Sequence, residues 1–324
     1  MTSYRDAGVD LDAANRHTQS IALSVMSTWD SDVIGGFGGF AAGVRVPPGY
    51  QDPVLMMSTD GVGTKLEIAR RAHLWDGVGH DLVAMCVDDL AAAGARPIGF
   101  VDYMAVGSLQ PARDRVILES VAAACLQAGC PLLGGETAEH PGVMDADAVD
   151  LAGAVMGVVE ASEVLGAARV RSGDVVVGLT SPNIRSNGFS LVRKVFGDEV
   201  EDLAESLLEP SVIYSPSVLD AVERAEVHAA AHVTGGGLAG NLARVLPAEL
   251  GVTIDTSTWE RPTIFDTIAS RGVSEDEMRR IFNLGVGFCL LVPDGAVNDV
   301  LAATNPHDPR VIGRVTVGEG VTIN

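Results

Sequence analysis

Apolar positions along the chain repeat with two different periods. Residues 9–29 carry a loosely amphipathic, helix-period pattern, and the glycine-rich stretch Gly35-Gly36-Phe37-Gly38-Gly39 follows. Residues 54–58 form an apolar run between Pro53 and Thr59-Asp60-Gly61, which predicts a strand entering a turn. Helices are predicted over 66–73 and 81–93, a strand over 98–106, a helix over 113–128 and a short strand over 131–133 that ends at Gly134-Gly135. An acidic loop, 139–150, leads into a strand over 151–159. The stretch 160–173 is polar and lacks strong periodicity, so it separates a first domain, 1–165, from a second, 166–324. In the second half, strands are predicted over 175–179, 229–233 and 288–292, with a final one near 310–317, and a helix over 238–245. This alternation predicts a mixed α/β (α+β) architecture in two lobes and leaves strand order open.

Composition narrows the picture. Hydrophobic residues make up 47% of 324 and aromatics only 5%, so the core must come mostly from Ala, Val, Leu and Ile. The longest apolar runs, such as 151–159, fall short of the ~20 residues of a membrane span. The N-terminus shows no basic segment followed by an apolar one, so the expected location is cytoplasmic. Cys86, Cys125, Cys130 and Cys289 form no CxxC pair and read as small buried apolar residues of a reducing compartment. Net charge is −21. Such a surface repels phosphate backbones, which excludes nucleic acid as the main partner. A phosphate ligand would have to be held locally, by backbone N–H groups, a few cations or Mg²⁺.

Four clusters carry candidate chemistry. In Asp60-Gly61-Val62-Gly63-Thr64-Lys65 the glycines allow close backbone approach, Asp60 could hold Mg²⁺ and Lys65 could meet a phosphate, although no Walker A or GxGxxG pattern is present. A plain turn with a solvated lysine explains it equally well. In the helix over 81–93, Asp81 and Asp88 fall within about 20° of each other at ~100° per residue, with Asp89 adjacent. Carboxylates so placed suit a shared Mg²⁺ or simply form a solvated acidic face. Gly134-Gly135-Glu136-Thr137 could aim N–H groups at an anion, with Glu136 as a metal ligand, or be a tight turn. In the second half, Arg185-Ser186-Asn187-Gly188 and Thr234-Gly235-Gly236-Gly237 offer neutral donors and a glycine-opened helix start suited to an anion. His228 and His232 stand four apart, but the glutamate of HExxH is missing and the segment reads as a strand, against a zinc site.

Taken together, the clusters resemble aminoimidazole ribonucleotide synthetase (phosphoribosylformylglycinamidine cyclo-ligase). Order and spacing match from about Tyr4 to Val317, with further matches at Leu208-Glu209-Pro210 and Phe282-Asn283-Leu284-Gly285-Val286-Gly287. DGVGTK and GGET are shared across the wider ATP-binding superfamily, whereas the SNG, TGGG and FNxGVG segments are more specific. The resemblance implies ATP-dependent cyclisation of formylglycinamidine ribonucleotide to aminoimidazole ribonucleotide, ADP and phosphate, with Mg²⁺ and K⁺. It implies a homodimer whose N-terminal ATP-binding lobes pair across a barrel-like sheet, and a C-terminal lobe on the substrate side. Asp60, Asp88, Asp89 and Glu136 then resemble metal–ATP ligands, Lys65 a phosphate contact and Gly35, Gly36, Gly38 and Gly39 a flap over ATP. Gly61, Gly63, Thr64, Asp81, Gly134, Gly135 and Thr137 fall on the cofactor side. Arg185, Ser186, Asn187, Gly188, Thr234, Gly235, Gly236 and Gly237 fall on the ribonucleotide side. Arg185 departs from the family's usual histidine. Arginine cannot act as a base but binds phosphate bidentately, so the position is either an anion contact or a mark of altered chemistry. The alternatives are a non-catalytic or altered-substrate member of the superfamily. Its selenophosphate synthetase and hydrogenase-maturation members use cysteines at positions where this chain has none, and thiamine-monophosphate kinase lacks this SNG and TGGG pair.

Overall fold

The first helix starts where the sequence first shows a cap. In a computed structural model, which describes residues 8–324, Asp10 accepts from the N–H groups of Asp12 and Ala13 and opens α1 (Leu11–Met26). The cap supplies an acceptor that first-turn amides lack. Tyr4, where the resemblance begins, lies outside the described residues. There follow β1 (Val33–Ile34), β2 (Gly43–Val44), β3 (Pro53–Gly61), α2 (Lys65–Ala72), α3 (Val78–Ala92), β4 (Arg96–Val106), α4 (Pro111–Ala128), β5 (Leu132–Glu139) and β6 (Val149–Glu160). The second half contains β7 (Val175–Thr180), α5 (Phe189–Phe196), α6 (Ala204–Leu207), α7 (Ser215–Arg224), β8 (Ala229–His232), α8 (Gly237–Ala243) and β9 (Leu250–Ile254). It ends with α9 (Thr263–Ala269), α10 (Glu275–Ile281), β10 (Val286–Val292), α11 (Val297–Ala303), β11 (Arg310–Val317) and β12 (Gly320–Ile323).

The chain divides into two units. The first holds residues up to Val87, Pro97–Val158 and Glu199–Ile213; the second holds Asp88–Arg96, Val159–Asp198 and Tyr214–Asn324. A single cut near 165 does not anticipate the two exchanged stretches. One begins at Asp88, inside α3, where the helix continues on both sides, so the sequence carries no mark of a domain boundary.

In the first unit the sheet order is β3-β6-β4-β5, with β4 and β5 parallel and Asp102 opposite Gly135. A Cβ on Gly135 would lie 2.3 Å from Asp102 Oδ1. Only glycine fits there. β3 alternates between half-buried and exposed residues, leaving Leu55 and Met57 exposed, as are Val101 and Tyr103 on β4. From Leu82 to Asp88 every residue of α3 is buried. The expected split between an acidic and an apolar face therefore does not exist over this stretch, because Asp81 and Asp88 are enclosed with the apolar residues and the exposed carboxylate is that of Asp89.

The second unit's sheet runs β12-β9-β11-β7-β10-β8, antiparallel at every pair except β12 with β9. Both faces of β10 are buried. One face builds a core of Val176, Ala229, Val252, Cys289, Leu291 and Ile312 with Leu238 and Leu242 of α8. β9 and β12, short apolar runs of five and four residues, are additions to the expected strands. All four cysteines are free and buried, as expected. Among the described residues no helix is long and apolar enough to cross a membrane.

Candidate functional site

The glycine-rich stretch is the loop of a small hairpin, since β1 and β2 pair with Val33 opposite Val44. Its glycines border a cavity of about 710 Å³ in the first unit. The cavity is lined by Gly36, Gly38 and Gly39 on the hairpin side, by His17 of α1, and by Asp102 and Gly134–Thr137 across β4 and β5. The structure thus brings the predicted flap and the GGET segment to one cavity. Gly134-Gly135-Glu136-Thr137 lie inside β5 rather than at a strand end, which corrects the turn reading. Glu136 is exposed. Burial pushes the Asp102 carboxyl up to about 7, and the nearby Glu136 adds to the effect. His17 is buried, neither ring nitrogen has a hydrogen-bond partner, and burial holds its imidazole below the usual value. No spacing signal in the sequence marks either His17 or Asp102.

The DGVGTK segment does not line this cavity. Asp60 and Gly61 continue β3, where Asp60 Oδ1 accepts from Gly61 N–H at 2.7 Å, and the turn comes later, at Gly63 with φ 68°. Lys65 is fully buried. Its Nζ donates to Asp81 Oδ1 at 2.8 Å and to the Glu209 carbonyl at 3.1 Å. Asp81 also accepts from the backbone N–H and the hydroxyl of Ser211. The phosphate-contact reading of Lys65 is thereby corrected, as is the solvated-lysine one: its charge is consumed inside the unit. The Leu208-Glu209-Pro210 segment acquires a role as part of the wall around that ion pair.

Asp88 is equally enclosed, in the second unit. Its Oδ1 accepts from Tyr214 and Ser215 N–H, both at 2.8 Å, and its Oδ2 from Arg185 at 2.8 Å. Asp81 and Asp88 therefore do not share a cation. Each meets its own protein cation and N–H or O–H donors, so both are corrected as metal or cofactor ligands. Asp89 differs, since its side chain is 42% exposed and His232 Nδ1 lies 2.9 Å from its Oδ1. His232 faces a carboxylate here, and His228 bridges Asp174 and Glu226. Among the described residues no group of three His, Cys, Asp or Glu side chains converges as a metal cage.

The three segments most specific to the resemblance meet in the second unit. Asn283 donates to the carbonyls of Asn183 and Ile184 and accepts from Gly285 N–H. A Cβ on Gly235 would lie 3.5 Å from Asn187 Oδ1, so the SNG and TGGG loops are neighbours. Asn241 donates to the Gly237 carbonyl at 2.8 Å, which braces the TGGG loop. Ser186, Asn187 and Thr234 are half-buried, and Gly235 and Gly236 are exposed.

Comparison with known proteins shows the family. The family described as AIR synthase related protein, N-terminal domain, matches residues 39–159, and its C-terminal counterpart matches 171–324. The chain belongs to the AIR synthase family. A phosphoribosylformylglycinamidine cyclo-ligase from Prochlorococcus marinus (strain MIT 9313) is 44% identical over 93% of this chain and 91% of its own. Among solved structures, thiamine-monophosphate kinase from Stenotrophomonas maltophilia K279a gives a TM-score of 0.67 at 20% identity, covering 96% of both chains. The hydrogenase maturation protein HypE in complex with ATP gives 0.69 at 18% identity, over 96% of this chain and 89% of that one. At that identity the two structures establish the AIR synthase fold and no more.

Proposed function

We propose that this chain closes the imidazole ring of aminoimidazole ribonucleotide, consuming ATP and formylglycinamidine ribonucleotide and releasing ADP and phosphate. The observation that carries the reading is the meeting of SNG, TGGG and FNLGVG in one loop cluster, because those segments separate this activity from the fold's other ATP users. The ring closure is intramolecular, so proximity alone contributes an effective molarity of roughly 10⁵–10⁸ M. The obstacle is the formyl amide oxygen, a poor leaving group. Transfer of a phosphoryl group to it creates a leaving phosphate, the amidine nitrogen attacks the carbon, and no protein nucleophile is needed. Catalysis then rests on positioning and charge neutralisation.

In this account the first unit's cavity takes ATP, with Gly35, Gly36, Gly38 and Gly39 as a flap and Gly134, Gly135 and Thr137 approaching with backbone groups. Mg²⁺ would neutralise the phosphates. It takes phosphate oxygens plus one or two carboxylates and needs no all-protein cage, so within the first unit Glu136 on the cavity wall and Asp60 fit as its candidate protein ligands. K⁺ belongs to the same proposal, with no residue assigned. Ser186, Asn187, Gly188 and Thr234–Gly237 take the ribonucleotide. Arg185 is the one hint of altered chemistry, and its guanidinium is paired with Asp88.

We also infer a homodimer. Leu55, Met57, Val101 and Tyr103 leave an apolar surface on the first unit's sheet, of the kind that marks an association surface.

The test is ADP and phosphate release by purified protein with Mg²⁺. We expect release only when formylglycinamidine ribonucleotide is present. Equal turnover with thiamine monophosphate in its place would sink the assignment.

A further inference from the structure

Arg185 is 1% exposed although it opens the Ser186-Asn187-Gly188 turn. Its backbone is in the left-handed region, φ 65°, which residues other than glycine adopt only when surroundings impose it. Those surroundings are identifiable. The backbone N–H of Arg185 donates to Asn183 Oδ1 at 3.0 Å, and Asn283 holds the carbonyls of Asn183 and Ile184. The guanidinium donates to Asp88 Oδ2 at 2.8 Å and to the Gly287 carbonyl at 3.0 Å, and its carbon stands 4.7 Å from the centre of the Tyr214 ring. Tyr214 is itself fixed, because its hydroxyl donates to the Thr180 carbonyl and its N–H to Asp88. A substrate anion would find the guanidinium enclosed and its charge already matched by a carboxylate.

We propose that Arg185 is a positioning residue: anchored on Asp88, Gly287 and Tyr214, it fixes the turn that presents Ser186 and Asn187 to the ribonucleotide, and it does not touch the substrate. The arrangement is a chain of contacts within the second unit. Asp88 holds Arg185, Arg185 sets the backbone direction of Ser186 and Asn187, and Asn187 lies beside Gly235. Lysine could keep the charge but not the planar stacking or the forked geometry that spans Asp88 and the Gly287 carbonyl, since its three donors radiate from one nitrogen. The inference rests on the reading of the Ser186–Asn187 loop as the ribonucleotide side.

The test is steady-state kinetics on the intact chain, varying formylglycinamidine ribonucleotide and ATP separately. The variants are Arg185→Gln, Arg185→Lys, Asp88→Asn, the double variant Arg185→Gln/Asp88→Asn, and Asn187→Ala. Misplacement of a binding loop costs on the order of 10- to 100-fold in kcat/KM. We expect Arg185→Gln and Asp88→Asn each to lose that much for the ribonucleotide, with KM for ATP changed less than about twofold. The double variant should lose no more than the worse single variant, because both act through one interaction. Arg185→Lys should recover part of the loss, and it supplies the measurement if Arg185→Gln does not fold. Losses that multiply in the double variant and vanish with a substrate lacking its phosphate would establish direct anion contact and overturn the proposal. Unchanged kinetics per folded molecule would overturn it in favour of a purely structural role. Asn187→Ala distinguishes the two levels: an unchanged ribonucleotide KM there refutes the loop reading itself, and the inference with it.

Discussion

Lys65 shows how far a side chain's fate can lie from its motif. DGVGTK places a lysine after glycines beside a strand end, which is compatible with a phosphate contact or a solvated turn, and it says nothing about a third outcome. That outcome requires Asp81, sixteen positions on, and Glu209, whose carbonyl completes the shell. A buried pair of this kind is not evidence of large net stability, but removing one partner leaves an uncompensated charge and costs about 3–5 kcal/mol. Lys65→Met should therefore lower unfolding free energy by about that amount, read by urea denaturation. A variant with unchanged stability and only a raised KM for ATP would restore the phosphate-contact reading. The same logic explains why Asp81 and Asp88 were ambiguous in the sequence. Helix geometry puts them on one side, but what faces that side depends on residues as far along the chain as Arg185, Ser211 and Tyr214. Asp89, one position further, is exposed and faces His232.

Element types were legible because apolar periodicity is a local property. The period of α1, the helices at α3 and α4, and the strands β4, β6, β7, β8 and β10 all fall where the apolar pattern puts them. β5 was mistaken at its end, since Gly134-Gly135 has the composition of a turn. The ladder with β4 overrides it and keeps the backbone extended, and the residue at 135 must be glycine because Asp102 occupies the space a side chain would need. That packing has a measurable consequence. The Asp102 pKa rises from 3.8 to about 7, so between those values the native state binds a proton that the unfolded chain does not. Its contribution to stability is therefore fully present below about pH 4 and is lost as pH rises through 7. The limit is about 4 kcal/mol, because each tenfold change in proton affinity is equivalent to about 1.4 kcal/mol. Asp102→Asn stays neutral throughout. Its stability relative to the native sequence should rise between pH 4 and 7, measured by denaturant titration at each pH, and parallel curves would contradict the assignment.

At the scale of the whole molecule, the sequence pattern supported a two-lobed α/β reading, and the structure describes two units, one with a four-stranded sheet and one with six strands. Strand order could not be read, because β7, β10 and β11 pair across more than a hundred residues and no local signal encodes that. Family membership rests on nearly the full chain. The proposed association rests on the exposed apolar residues of β3 and β4, and sedimentation equilibrium should give about twice the chain mass. Met57→Glu should then shift it toward one chain mass, whereas a native protein that sediments as a single chain would refute the dimer. The central claim is chemical, that the formyl oxygen is phosphorylated and departs as phosphate. Its most direct measurement is a single turnover with formylglycinamidine ribonucleotide carrying heavy oxygen at the formyl position, followed by mass spectrometry of the released phosphate. The account predicts one labelled oxygen in each phosphate formed. Label appearing in water, with unlabelled phosphate, would contradict it.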